Sequence, residues 1–109
     1  MATQVYLVYC TFPDADKAAE VAKALVGDRL AACVNIVPGL RSVYRWNDDV
    51  CDEPEVLALI KTTHDRFEAL KDQLVCLHPY DCPEVIAVRV EEGNAGYLDW
   101  VANNTTQPQ

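Results

Sequence analysis

Cys76-Leu77-His78-Pro79-Tyr80-Asp81-Cys82-Pro83-Glu84 brings two thiols, an imidazole, a phenol and two carboxylates into nine residues. Thiolate, imidazole and carboxylate are all ligands for zinc or copper, and imidazole with thiolate suits the softer transition metals. Each proline biases the residue before it toward an extended backbone, so His78 and Cys82 stand in a stiff loop. The stretch reads as a metal site, as a catalytic site, or as a rigid turn whose thiols are small packed apolar groups. Cys10 enters either chemical reading, as a third ligand or as a nucleophile with His78 as its base.

The elements that must position these groups follow from pattern. Val5 to Phe12 is rich in β-branched and aromatic residues and stops at Pro13-Asp14, which predicts a strand. Asp14 caps a helix in which Ala18, Val21, Ala22 and Leu25 recur at helical spacing, with Gly27 near its end. Ala31 to Trp46 is extended, interrupted at Pro38-Gly39, and Val50 to Thr63 is extended again after Asn47-Asp48-Asp49, which makes one long hairpin. A second helix starts near Thr63 or Asp65, lines up Phe67, Leu70, Leu74 and Leu77, and cannot pass Pro79. Glu84 to Val90 is the last strand, and Tyr97, Leu98, Trp100 and Val101 mark a short terminal helix before a polar tail, residues 103–109, expected to be loose.

The order is β-α-β-β-α-β plus a terminal helix, a ferredoxin-like split βαβ of the α+β class in a single domain spanning 1–109. In that topology the first and last strands are antiparallel neighbours, expected near the middle of the sheet, and Cys10, His78 and Glu84 converge at one of its ends. Both helices then cover one face. The first strand is nonetheless apolar on both sides, with Val5, Leu7 and Tyr9 on one and Tyr6, Val8 and Cys10 on the other. Three or four such side chains left in water forgo about 5 to 10 kcal/mol, comparable to a domain's net stability. A second copy of the chain is the economical cover, so a homo-oligomer is expected; the alternative is that the terminal helix does the covering.

Composition narrows the partners. Seventeen acidic against nine basic residues give a formal charge of −8, which opposes nucleic acid and anionic membranes and favours a cationic partner or solute. Five cysteines without a CxxC pair, and no leader-like or membrane-length apolar run, fit a reducing, cytoplasmic setting. The acidic run Asn47 to Glu55 lacks the glycine and spacing of a calcium loop and reads as a solvated hairpin tip. Tyr44, Trp46 and Trp100 read either as the lining of a ligand cleft between subunits or as interface packing.

The chain resembles the CutA family, the divalent-cation tolerance proteins, over almost its whole length. The resemblance is carried by Cys10-Thr11-Phe12-Pro13-Asp14, by Leu30-Ala31-Ala32-Cys33-Val34-Asn35 with Pro38-Gly39, and by Ser42-Val43-Tyr44-Arg45-Trp46. Glu55 with Lys61-Thr62-Thr63, the run His78 to Glu84, and Tyr97-Leu98-Asp99-Trp100 complete it. It implies a ferredoxin-like subunit in a tight homotrimer, no enzymatic activity, and a role in tolerance to copper or other divalent cations. Cys10, His78 and Glu84 are the implied ligands for Cu(II) or another divalent ion. Members with a histidine pair before Pro-Tyr carry a histidine where this chain has Leu77, which removes one implied imidazole. The family's trimer also looks like that of the PII signalling proteins, which implies an alternative role: a sensor taking a small anion or metabolite in the inter-subunit cleft, lined by Lys61, Tyr80, Glu84, Tyr44 and Trp46.

Overall fold

The computed structural model describes residues 4–106. Seven elements follow one another: β1 Val5–Phe12, α1 Ala15–Gly27, β2 Cys33–Trp46, β3 Asp49–Thr63, α2 His64–Leu77, β4 Ile86–Arg89 and α3 Ala95–Asn103. The sheet is antiparallel in the order β2-β3-β1-β4, so β4 is an edge strand and only β1 and β3 are central. This corrects the expectation that both terminal strands lie near the middle. The last strand is also shorter than expected: pairing with β1 runs only from Tyr9 opposite Ile86 to Tyr6 opposite Arg89, and Glu84 and Val85 stand outside it.

The local signals act as their chemistry requires. The Asp14 carboxylate accepts from the Lys17 amide at 2.7 Å and starts α1. Thr63 occupies the cap position of α2 but makes no side-chain cap bond. Asn47 and Asp48 both have positive φ, 51° and 67°, the two-residue turn that matches strand twist and that Asn and Asp tolerate. The Pro38-Gly39 interruption is a bulge in β2 between Val37 and Leu40, with Gly39 at φ 85°.

Strand parity divides the sheet into two faces. Val8, Cys10 and Phe12 of β1 and Val56, Ala58 and Ile60 of β3 are buried against Ala18, Val21 and Leu25 of α1 and Leu70 and Leu74 of α2. On the opposite face α3 seals one end, where Val101 packs with Val5 and Ala32. The rest of that face is bare: Leu7, Tyr9, Leu57 and Leu59 are half-buried, and Val37, Ile86 and Val88 are 43 to 56 % exposed. The terminal helix therefore covers part of the second face and leaves Val37, Ile86 and Val88 in solvent.

Beyond Phe12, which pairs with Val56, the β2–β3 hairpin has no third strand and projects as an arm. Its Arg41 and Asp52 form a two-point ion pair at 2.7 and 2.8 Å across the ladder. The expected loose tail begins later than residue 103. Asn103 closes α3, and Thr105 is buried with its hydroxyl donating to the Val101 carbonyl at 2.9 Å, a local bond that composition does not reveal. Residues 107–109 of that tail lie outside the described residues.

Candidate functional site

Pro79 stops α2, and the chain crosses the end of the sheet as the loop 78–85 before entering β4. His78 anchors this loop. Its Nδ1 accepts from the Tyr80 amide at 3.1 Å, so the ring proton sits on Nε2, which donates to the Thr11 carbonyl at 2.7 Å. The ring stacks on Phe12 at 4.4 Å and is only 7 % exposed. Burial holds its pKa below the ordinary histidine value, against an opposing pull from the Thr11 carbonyl and Glu55. His78 is thus a neutral ring with both nitrogens engaged.

Cys10 lies in the core, fully buried, with its thiol facing the same Thr11 carbonyl at 3.8 Å. Burial first, then the charges of Glu84 and Glu55, push the thiol up to about 12. Such a thiol is no nucleophile at neutral pH. Glu84, whose charge is among those that raise the Cys10 thiol, is itself exposed.

Beside the loop, a cleft of about 690 Å3 opens between residues 79–84 and the flank of the hairpin arm. Tyr44, Trp46 and Tyr80 form its aromatic walls, and Glu55, Asp81, Glu84 and Cys82 supply ionisable groups. Tyr80 donates its hydroxyl to Glu55 at 2.8 Å; burial, followed by that bond and charge, raises the phenol pKa and keeps its proton in place. Of the residues expected to line a ligand cleft, Tyr44, Trp46, Tyr80 and Glu84 do so.

Lys61 does not. It lies opposite Leu7 and Cys33 on the bare face and donates to Asn35. Trp100 is on α3, where it stacks with Tyr97 at 5.6 Å, also away from the cleft. Cys82, held with His78 in the stiff loop as the sequence predicts, lines the cleft, and so does Asp81 of the same nine-residue run, which the sequence does not single out. Glu55 belongs with them because β1 ends one residue before reaching it, leaving its side of β3 open.

The donor set expected for a metal, Cys10, His78 and Glu84, offers one free ligand of three in this arrangement. Among the described residues no group of three His, Cys, Asp or Glu side chains is placed to hold a metal ion. All five cysteines are free, with Cys76 and Cys82 exposed. No helix among the described residues is long and apolar enough to cross a membrane.

Comparison with known proteins gives these features a context. The family model described as the CutA1 divalent ion tolerance protein matches residues 6–104. The divalent-cation tolerance protein CutA of Thermus thermophilus is 52 % identical over 99 residues, covering 91 % of this chain and 96 % of that protein. A solved structure of the Thermus thermophilus divalent cation tolerance protein superimposes with a TM-score of 0.90 at 50 % identity, covering 94 % of this chain and 99 % of the other. The rice protein CutA 1, named as chloroplastic, is 42 % identical over 101 residues, or 93 % of this chain and 57 % of that one, so family membership does not by itself assign a cytoplasmic location. None of these descriptions names an enzymatic activity. With the bulged hairpin, the anchored loop 78–85 and the sheet order accounted for along nearly its whole length, the chain belongs to the CutA1 divalent ion tolerance protein family.

Proposed function

We propose that this chain is a non-catalytic, homotrimeric protein that binds a divalent cation, Cu(II) among them, in the cleft beside the loop 78–85. The observation that carries the reading is the meeting of Glu55, Asp81, Glu84 and Cys82 on one cleft of a protein whose formal charge is −8. Carboxylates attract any divalent ion, and an exposed thiol adds preference for the softer ones. Of the expected ligands, Glu84 is retained as a direct donor. Cys10 and His78 serve as the groups that fix the corner, because a neutral ring with both nitrogens bonded and a protonated, buried thiol are poor ligands until those bonds open.

The trimer is supported by the bare face. Val37, Ile86 and Val88 stand in water beside half-buried Leu7, Tyr9, Leu57 and Leu59, an apolar face that draws residues from all four strands and marks an association surface. Symmetric self-association would cover it. A cytoplasmic setting is part of the reading and draws on the free cysteines.

A second reading, a PII-like sensor with a small metabolite in the same cleft, draws on the cleft's size and aromatic walls. Lys61 lies elsewhere and three carboxylates line the cleft, so an anion is the less suitable occupant.

Titration calorimetry with Cu(II) and Zn(II) on wild type, Glu84→Gln, Cys82→Ser and His78→Ala tests the first reading. Saturable binding weakened by Glu84→Gln and Cys82→Ser is expected. Isotherms unchanged in both variants would remove the cleft as the cation site.

A further inference from the structure

On the other side of β1, the side that carries the helices, a second pocket of about 460 Å3 opens between α2 and the edge strand β4. Its lining includes Tyr6, His64, Phe67, Ala87 and Arg89. Tyr6 and Arg89 are direct partners in the β1–β4 register, so their side chains leave the sheet on the same face. His64 opens α2 and reaches back to β1, where its Nδ1 and the Tyr6 hydroxyl are hydrogen-bonded at 2.7 Å. In the tautomer in which the hydroxyl donates, the ring proton is on Nε2, where it can serve a ligand as a donor. Tyr6 also meets His64 and Phe67 edge-on, at 5.4 and 5.8 Å between ring centres.

The charges in this pocket are unusual for so acidic a protein. Arg89 forms no ion pair among the described residues. The one carboxylate in the lining, Glu68, is engaged by Lys71 at 2.6 Å. A guanidinium and an imidazole N–H therefore face a pocket whose walls are Phe67, Tyr6 and Ala87.

We propose that this pocket binds a small carboxylate with an aromatic or apolar body, its carboxylate held by Arg89 and His64 and its body against Phe67 and Tyr6. A planar guanidinium pairs with carboxylate through two parallel hydrogen bonds, which a neutral amide isostere cannot reproduce. The fixed Tyr6–His64 pair presents its donor without further ordering, which lowers the cost of binding. The site is independent of the cation cleft, and because it lies on the helix-bearing side, covering the bare face of the sheet leaves it in place.

The chain has two histidines, which makes the test direct. His64 is the first of the 14 residues of α2 and His78 follows the last, a separation of roughly 20 Å at the helical rise, so His78 is an internal control. Sodium benzoate is titrated into the full chain while the two imidazole Hε1 proton resonances are followed at constant ionic strength, with benzamide, sodium phosphate and sodium chloride in parallel. Benzoate is expected to shift His64 saturably and leave His78 in place, with affinity falling roughly tenfold or more in Arg89→Gln and for benzamide. Glu68→Gln removes a carboxylate from the lining and is expected to tighten benzoate binding. A His64 signal that benzoate does not move, or that benzamide or phosphate moves equally well, overturns the proposal. So does benzoate affinity unaffected by Arg89→Gln or weakened by Glu68→Gln.

Discussion

His78 Nε2 donates to the carbonyl of Thr11 at 2.7 Å, tying the loop after α2 to the end of β1 across 67 residues of chain. The bond uses the nitrogen that a metal would need, and the Tyr80 amide uses the other. Removing the ring leaves the buried Thr11 carbonyl with only the Cys10 thiol at 3.8 Å and takes away the stacking partner of Phe12. His78→Ala is expected to cost about 2 to 3 kcal/mol of stability in the complete absence of metal, read as a shift in the urea midpoint. A metal-free variant as stable as wild type would make the ring a ligand rather than a clamp.

The same ring sets a pH dependence. Its pKa in the fold is depressed, chiefly by burial, so the unfolded chain takes up a proton before the folded one does. The contribution is full above the ordinary histidine value of about 6.5 and is lost as pH falls through the lower folded value. Urea midpoints at falling pH are expected to decline more steeply in wild type than in His78→Gln, which has no proton to take up at that position. Parallel declines would show that the ring's titration is not coupled to folding.

Cys10 behaves in the opposite sense. Its thiol is raised from 9.0 to about 12 in the fold, so the stability it contributes is present below about 9 and is lost as pH rises through the folded value. At neutral pH the thiol is both protonated and sealed. Native alkylation with iodoacetamide, mapped by peptide mass, is expected to label exposed Cys76 and Cys82 first and Cys10 only on unfolding. Early labelling of Cys10 would revive it as a nucleophile or an accessible ligand.

These side chains also show what the sequence could and could not disclose. The elements were legible because their signals are local: apolar period, Asp14 before α1, Pro79 after α2, and Asn47-Asp48 between β2 and β3. The two-sided character of β1 was legible too, since alternate residues of a strand face opposite ways. Strand order was less so, because β4 lies at the edge by virtue of pairings that no local pattern encodes. Lys61 and Glu55 share a face of β3, yet six residues of strand separate them by about 20 Å, which is why only one reaches the cleft. Whether His78 is a ligand or a clamp depends on the Thr11 carbonyl, a partner visible only once the chain is folded.

The bare face carries its own prediction. Ile86 and Val88 are 56 and 47 % exposed in the protomer, so a charge at either is tolerated by the subunit itself. In an assembly that buries the face, the same charge is desolvated without a partner and opposes association. Sedimentation of Ile86→Arg is expected to give a folded particle near 12.1 kDa, and wild type is expected at about three times that mass. Wild type and variant sedimenting alike as monomers would leave the bare face without its second copy.

Gly27 closes α1 within the helix rather than beyond it, and a methyl group added there meets nothing within 4 Å. Its φ is not in the left-handed region, where φ 59° falls instead to Arg29, two residues on. Gly27 therefore brings the flexibility of glycine to the unfolded chain without serving the turn. Gly27→Ala is expected to stabilise the fold by roughly 0.5 to 1 kcal/mol, measured as a rise in the urea midpoint at unchanged m-value. A loss of stability would mean that the space beside Gly27 is filled when subunits assemble, since nothing within the protomer opposes the added methyl group.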